Sequence, residues 1–64
     1  MPSITFPLPL GSAARWAAYQ RMHLHEEGFG EAVLDAVQPL FFEFARSGEQ
    51  RHIEQAHRLL RGEV

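Results

Sequence analysis

The chain has 64 residues, a formal net charge of −2 at pH 7 and no cysteine. This length allows one domain, and the missing cysteines exclude disulfides and thiolate metal sites. The nearly neutral charge also excludes a general nucleic-acid binder, which needs a basic surface. A core this small contributes only about 3–5 kcal/mol and is usually completed by a metal or a second subunit. We therefore expect a homodimer.

Residues 1–10 are predicted to form an extended arm ahead of a helical domain at residues 11–64. Apolar side chains alternate along the arm as they do in a strand, and two prolines restrict it to an edge strand or a free arm because they lack backbone donors. The alternating residues are Ile4, Thr5, Phe6, Pro7, Leu8, Pro9 and Leu10. We expect the arm either to pack over its own helices or to swap onto, or pair with, a second chain.

A first helix is predicted from Ala13 to Glu27, with Ser12 as its N-cap and Gly28 just past its end. Its apolar residues lie on three sides, which are occupied by Ala13, Ala17 and Leu24, by Trp16 and Tyr19, and by Ala18 and Met22. A helix that is apolar on several sides is contacted on several sides. The contacts come either from the arm and the second helix together or from another subunit.

The second helix, from Gly30 or Glu31 to Arg46, carries the cleanest apolar face of the chain. At about 100° per residue, six apolar side chains fall within a stripe roughly 120° wide. These residues, which we expect to form the dimer core, are Val33, Leu34, Val37, Leu40, Phe41 and Phe44. Pro39 should kink the helix because it has no N–H for the carbonyl four residues earlier. Phe42 projects away from the stripe.

A third helix is predicted from Glu49 to Arg61, and Ser47 with Gln50 matches the capping box that opens such a helix. The expected fold is therefore all-α, with an arm and three short helices in an intertwined homodimer. No segment is long and apolar enough for a signal peptide or a membrane span, which makes the cytoplasm the expected location and leaves the membrane out of the expected partners.

Four histidines raise the question of a metal site. His23 and His25 point to opposite sides of their helix, and His52 and His57 lie about 140° apart, so neither pair chelates one ion. A site shared between two subunits stays open. Since the sequence also lacks a phosphate-binding loop and a nucleophile with a matching base, we expect neither an enzyme nor a cofactor.

Aromatic and acidic side chains give the clearest signal for a binding partner, because aromatic residues are enriched in interface hot spots. The stretch from Glu26 to Glu43 holds five carboxylates and no basic residue, which indicates either a solvated face or a surface complementary to a basic protein. The predicted partner-binding residues are Phe42, Asp35, Glu31, Glu43, Trp16 and Tyr19. Trp16 and Tyr19 could instead fill the chain's own core.

The order of an extended segment ending in Leu8-Pro9, a helix, a turn at Gly28-Phe29-Gly30 and a second helix resembles the ribbon-helix-helix family of small dimeric repressors and antitoxins. The resemblance covers about residues 3–46 and implies a dimeric fold. In that family two strands pair into a ribbon whose outward side chains read DNA bases. The corresponding positions here, Thr5, Pro7 and Pro9, carry no base-reading side chain, so nucleic acid is not the expected partner.

The sequence therefore favours a small non-enzymatic regulatory protein, of the inhibitor or adaptor type, that binds another protein as a homodimer. One alternative is a DNA-binding regulator or antitoxin like those of the ribbon-helix-helix family. Another is a small accessory subunit of a larger complex, in which the apolar first helix finds its contacts.

Overall fold

A computed structural model describes residues 5–62 of the chain. These residues form three α-helices and no β-strand: α1 (Leu10–Glu26), α2 (Glu31–Ser47) and α3 (Gln50–Leu60). The predicted all-α class and the number of helices are confirmed for this part of the chain. The first four residues of the predicted arm, Ile4 among them, and the last two of the predicted helical domain lie outside the described residues.

Helix α2 lies in the middle of the fold and packs against both α1 and α3. Within residues 5–62, the buried side chains are Ala13, Ala17, Leu34, Val37, Phe41, Phe44, Ala45 and Ala56. Val33 and Leu40 are half-buried and pack against this core. The apolar stripe of α2, predicted to be a dimer core, thus contacts the chain's own helices.

The end of α1 follows the sequence prediction. Gly28 has a φ of 101°, which only glycine adopts without strain, and its N–H donates to the carbonyl oxygen of His25 across 3.0 Å. The N–H of Phe29 donates to the carbonyl oxygen of Leu24 across 3.2 Å. This pair of bonds is the Schellman arrangement that terminates helices, so the predicted stop at Gly28 is confirmed.

The start of α1 differs from the prediction. The helix begins at Leu10, with Pro9 as its N-cap and no side-chain cap, so the prediction of Ser12 as the N-cap was wrong. The carbonyl oxygen of Pro9 already accepts the first helical hydrogen bond, from the N–H of Ala13 across 2.8 Å. Ser12 consequently lies inside the first turn, where its hydroxyl cannot act as the cap.

The junction between α2 and α3 also differs. Ser47 is the last residue of α2: its hydroxyl donates to the carbonyl oxygen of Glu43 and accepts from the N–H of Glu49. The N-cap of α3 is Glu49, without a side-chain cap, so the predicted capping box of Ser47 and Gln50 was wrong. The hydroxyl of Ser47 bonds to Glu43 in α2 and to the backbone of Glu49, and not to the N–H of Gln50 as the predicted capping box requires. Helix α2 itself continues through Pro39 without a break.

Residues 5–9 contact both α1 and α2. The ring of Phe6 packs against the rings of Trp16 and Phe44, with centroid distances of 5.2 and 4.7 Å. The N–H of Leu8 donates to the carbonyl oxygen of Ala45 across 2.7 Å. Within residues 5–62, none of the helices combines the length and the hydropathy needed to cross a bilayer.

Candidate protein-binding groove

An open groove of about 300 Å³ lies on the surface between α1 and α2. Two small residues line it from α1, two apolar residues form its wall on α2, and two polar residues of α2 complete it. The six lining residues of this α1–α2 groove are Ala14, Ala17, Pro39, Phe42, Asp35 and Gln38. The groove exists because alanines, which are short, occupy the α1 side.

The four groove residues of α2 share one face for a simple reason. Positions 35, 38, 39 and 42 follow the spacing of three, four and seven residues that places side chains on one side of a helix. This face lies beside the apolar stripe and turns towards α1. It therefore joins a polar end, at Asp35 and Gln38, to an apolar end, at Pro39 and Phe42.

Arg21 of α1 fixes the polar end of the groove. One guanidinium nitrogen donates to Asp35 Oδ1 across 2.8 Å and to Gln38 Oε1 across 3.0 Å, while the other donates to Glu31 Oε2 across 2.6 Å. The hydrogen bond to Asp35 raises the pKa of Arg21 above its ordinary value; partial burial opposes this shift and the bond to Glu31 adds to it. Arg21 thus joins α1 to α2 and holds two groove side chains in place.

The polar end offers more acceptors than Arg21 uses. Asp35 bonds Arg21 through Oδ1, and most of its side chain stays exposed. In addition, Pro39 has no N–H, so the backbone carbonyl of Asp35 lacks its usual helical donor. A partner that places an N–H or a cationic group here finds acceptors beside an apolar wall.

The four predicted partner-binding residues of α2 lie in three places. Asp35 and Phe42 are brought together in the α1–α2 groove. Glu31 lies next to the groove, bound to Arg21. Glu43 bonds Arg46 across 2.6 Å, and this hydrogen bond lowers the pKa of Glu43 below its ordinary value.

The structure does not bring Trp16 and Tyr19 to this groove. Trp16 is half-buried and makes edge-on and tilted contacts with Phe41 and Phe44, both at centroid distances of 5.8 Å. It is therefore part of the chain's own aromatic core. Tyr19 is 59% exposed and stacks on His23, with ring centroids 5.5 Å apart.

Phe42 is less exposed than its position opposite the stripe suggested. It is half-buried and packs against the core while also lining the groove. The reason is the central position of α2: a helix with neighbours on two sides buries more of its circumference than one stripe. One edge of Phe42 thus remains available to a partner.

Sequence reasoning did not identify Arg21, Ala14 and Pro39 as parts of a site. For Arg21 a signal existed, because Glu31 and Asp35 are four residues apart and share the face of α2 that a basic residue of a neighbouring helix could bridge. For Ala14 no signal existed, because an alanine lines a groove only when a neighbouring helix, here α2, forms the other wall.

No three histidine, aspartate or glutamate side chains within residues 5–62 are grouped in a way that could hold a metal ion. His25 and His52 instead lie near carboxylates of the same chain, at 3.9 Å from Glu31 and 3.7 Å from Glu49. A metal site between two subunits stays a prediction that needs a second chain.

The chain matches no known protein-family model, and comparisons with curated proteins and with solved structures give no match.

Proposed function

We propose that this chain is a small, non-enzymatic regulatory protein of the cytoplasm that binds another protein through the α1–α2 groove and acts as a homodimer. The observation that carries the proposal is the meeting, in one groove, of an apolar wall at Phe42 and Pro39 with acceptors at Asp35. An apolar anchor beside a few fixed polar groups is the usual composition of a protein-binding site.

The size and charge of the groove indicate what it binds. About 300 Å³ is at the small end of ligand pockets and has room for one or two side chains of a partner segment. At its polar end, the two carboxylates of Glu31 and Asp35 face one arginine, Arg21, which leaves this end of the groove negative. We propose a partner segment that places an apolar side chain against Phe42 and an arginine or lysine against Asp35.

The finer architecture is part of the same proposal. We propose that residues 1–10 act as an arm, that α2 bends at Pro39, and that two chains associate. Contacts of Phe6 and Leu8 with the helices support the arm, and the missing N–H of Pro39 supports the bend.

A second candidate function is an accessory subunit of a larger complex. The large apolar side chains that are exposed within residues 5–62 are Leu10, Tyr19 and Met22, and all three belong to α1. A larger assembly that covers α1 would bury these three side chains.

The ribbon-helix-helix alternative has less support, because Leu8 donates its N–H within the chain and residues 5–62 contain no strand.

The experiment uses a groove-filling variant and a matched control. Ala14→Gln adds a longer side chain at an exposed position of the groove, and Ala36→Gln makes the same change at an exposed position of α2 outside it. Both keep a good helix former, so neither should disturb the fold. A photoreactive residue at position 14 first identifies the partner in the native cells, and the partner is then purified.

We expect Ala14→Gln to weaken the affinity for the purified partner about tenfold or more, the loss typical of a blocked interface anchor, with Ala36→Gln binding like the wild type. Phe42→Ala combined with Asp35→Arg should reduce binding further. If Ala14→Gln and the wild type bind equally well, the groove is not the binding site and the proposal is wrong.

A further inference from the structure

Helix α1 presents a second surface, on the side that faces away from the core. Met22 lies nine residues after the buried Ala13, which at about 100° per residue is half a turn round the helix. Met22 is 49% exposed and its neighbour Tyr19 is 59% exposed. We define the outward face of α1 as Gly11, Arg15, Ala18, Tyr19, Met22 and Glu26.

The spacing on this face is that of a helix–helix seam. Residues 11, 15, 18 and 22 are separated by four, three and four positions, as the seam residues of a coiled coil are. Ala18, near the middle of the face, is small, so the backbone of another helix can approach closely. Met22 and Tyr19 supply the apolar area.

The charges on the outward face lack partners among the residues that the structure describes. Arg15 and Glu26 are exposed, and among residues 5–62 neither side chain makes a hydrogen bond or an ion pair. Glu26 is also the last residue of α1, where the helix dipole disfavours a carboxylate. The face therefore carries one positive charge near its start and one negative charge at its end.

We propose that the outward face of α1 binds the same face of a second copy, with the two helices antiparallel. In this arrangement Arg15 pairs with the partner subunit's Glu26, and the two-fold symmetry makes the same contact a second time. The pairing sets the register, because Tyr19 comes four residues after Arg15 and Met22 four residues before Glu26. Tyr19 consequently lies against the partner subunit's Met22, and a thioether next to an aromatic ring is a favourable contact.

This inference rests on the homodimeric part of the proposed function and names its surface. The stripe of α2 that the sequence suggested as the dimer core contacts the chain's own α1 and α3. The outward face of α1, by contrast, is exposed. Its positive charge at Arg15 meets the negative charge at Glu26 when two copies pack antiparallel. This packing also leaves the α1–α2 groove open to another protein.

Charge exchange tests the pairing. Light scattering over a dilution series gives the dimer dissociation constant of the wild type, Arg15→Glu, Glu26→Arg and the double variant, with Arg58→Glu on α3 as the control. We expect each single reversal to raise the dissociation constant about tenfold, since each disrupts two symmetric pairs. The double variant should have a dissociation constant close to that of the wild type, and so should the control variant Arg58→Glu.

Cysteine cross-linking tests the direction of the helices, and the absence of native cysteine makes the reading clean. Chains that carry Arg15→Cys are mixed with chains that carry Glu26→Cys under mild oxidation. Antiparallel pairing predicts the mixed disulfide in preference to either symmetric one. A preference for the two symmetric disulfides indicates parallel helices and overturns the inference.

The remaining outcomes separate this inference from the proposed function. A dimer that both charge reversals leave unchanged associates through another surface, which overturns the inference and keeps the homodimer. A monomer at every concentration overturns both the inference and the homodimer. In either case the comparison of Ala14→Gln with Ala36→Gln still tests binding at the α1–α2 groove.

Discussion

The backbone N–H of Leu8 donates a hydrogen bond of 2.7 Å to the carbonyl oxygen of Ala45, in the last turn of α2. The last carbonyls of a helix have no donor within the helix, and here the segment before α1 supplies one. Phe6, two residues earlier, packs its ring against Trp16 and Phe44. Residues 5–9 therefore close one end of the α1–α2 pair.

Phe6→Ala tests this closure. The ring is half-buried, so its removal should cost about 2 kcal/mol, roughly half of the loss for a fully buried phenylalanine. Trp16 is the only tryptophan, and its fluorescence reports both the lost contact and the unfolding in urea. The exposed neighbour Thr5→Ala is the control, and equal stability of the two variants would show that the segment does not stabilise the helices.

Gly48→Ala should destabilise the fold by about 1 kcal/mol. Gly48 follows α2 with a φ of 77°, a left-handed conformation that alanine adopts only at a cost of this size. An added Cβ has room, with Pro7 Cδ at 3.6 Å, so the cost comes from the backbone alone.

The control for Gly48→Ala is Gly11→Ala. Gly11 lies inside α1 with nothing near its Cβ position, and alanine there should stabilise the helix by about 0.5–1 kcal/mol. Urea denaturation of both variants measures the two effects. The same sign for both changes would contradict the assignment of Gly48 to the left-handed end of α2.

Arg21→Gln should lower the urea midpoint, because it removes the bonds that join α1 to Glu31 and Asp35. Arg21→Lys keeps the charge but cannot bond three side chains at once, so it should recover only part of the loss. The loss should shrink in about 1 M salt, where the screening length is about 3 Å. The control is Arg58→Gln, which removes an exposed arginine of α3. If Arg21→Gln unfolds at the same urea concentration as this control, or at a higher one, Arg21 does not bridge the two helices.

Glu43 contributes a pH dependence whose sign follows from its pKa. The hydrogen bond from Arg46 holds the pKa of Glu43 lower in the folded chain than in the unfolded chain. The ionised form is therefore favoured by folding, and its stabilisation is complete above the ordinary glutamate pKa and lost as the pH falls through the lowered value. Denaturation curves between about pH 3 and 7 should show this component in the wild type and not in Glu43→Gln. An identical pH profile for both chains would contradict it.

Local signals predicted local structure well. The helical spacing of apolar residues located α2 to within one residue at each end, because burial against two neighbours selects that stripe. Gly28 marked the end of α1, because only glycine adopts its backbone conformation cheaply. The predicted helix caps were wrong, because a serine hydroxyl can bond to more than one backbone group. Helix α1 begins earlier, with Pro9 as its N-cap, and the hydroxyl of Ser47 donates to Glu43 in the last part of α2.

The candidate site was only partly predictable. Asp35 and Phe42 were identified from their position away from the stripe, and the structure places both in one groove. Ala14 and Arg21 were missed because both act through contacts with α2: Ala14 lines the groove opposite it, and Arg21 bonds to its side chains. Trp16 could not be assigned either way from sequence, since the same ring suits an interface and a core, and in the structure it packs on Phe41 and Phe44.

The most direct test of binding at the α1–α2 groove is an NMR titration of the ¹⁵N-labelled chain with the purified partner protein. We expect the largest amide shifts at Ala14, Ala17, Asp35, Gln38 and Phe42, and shifts near zero at Glu54 and Arg58 on the outer side of α3. Shifts concentrated on α3, or spread over the outward face of α1 with the groove unchanged, would contradict it.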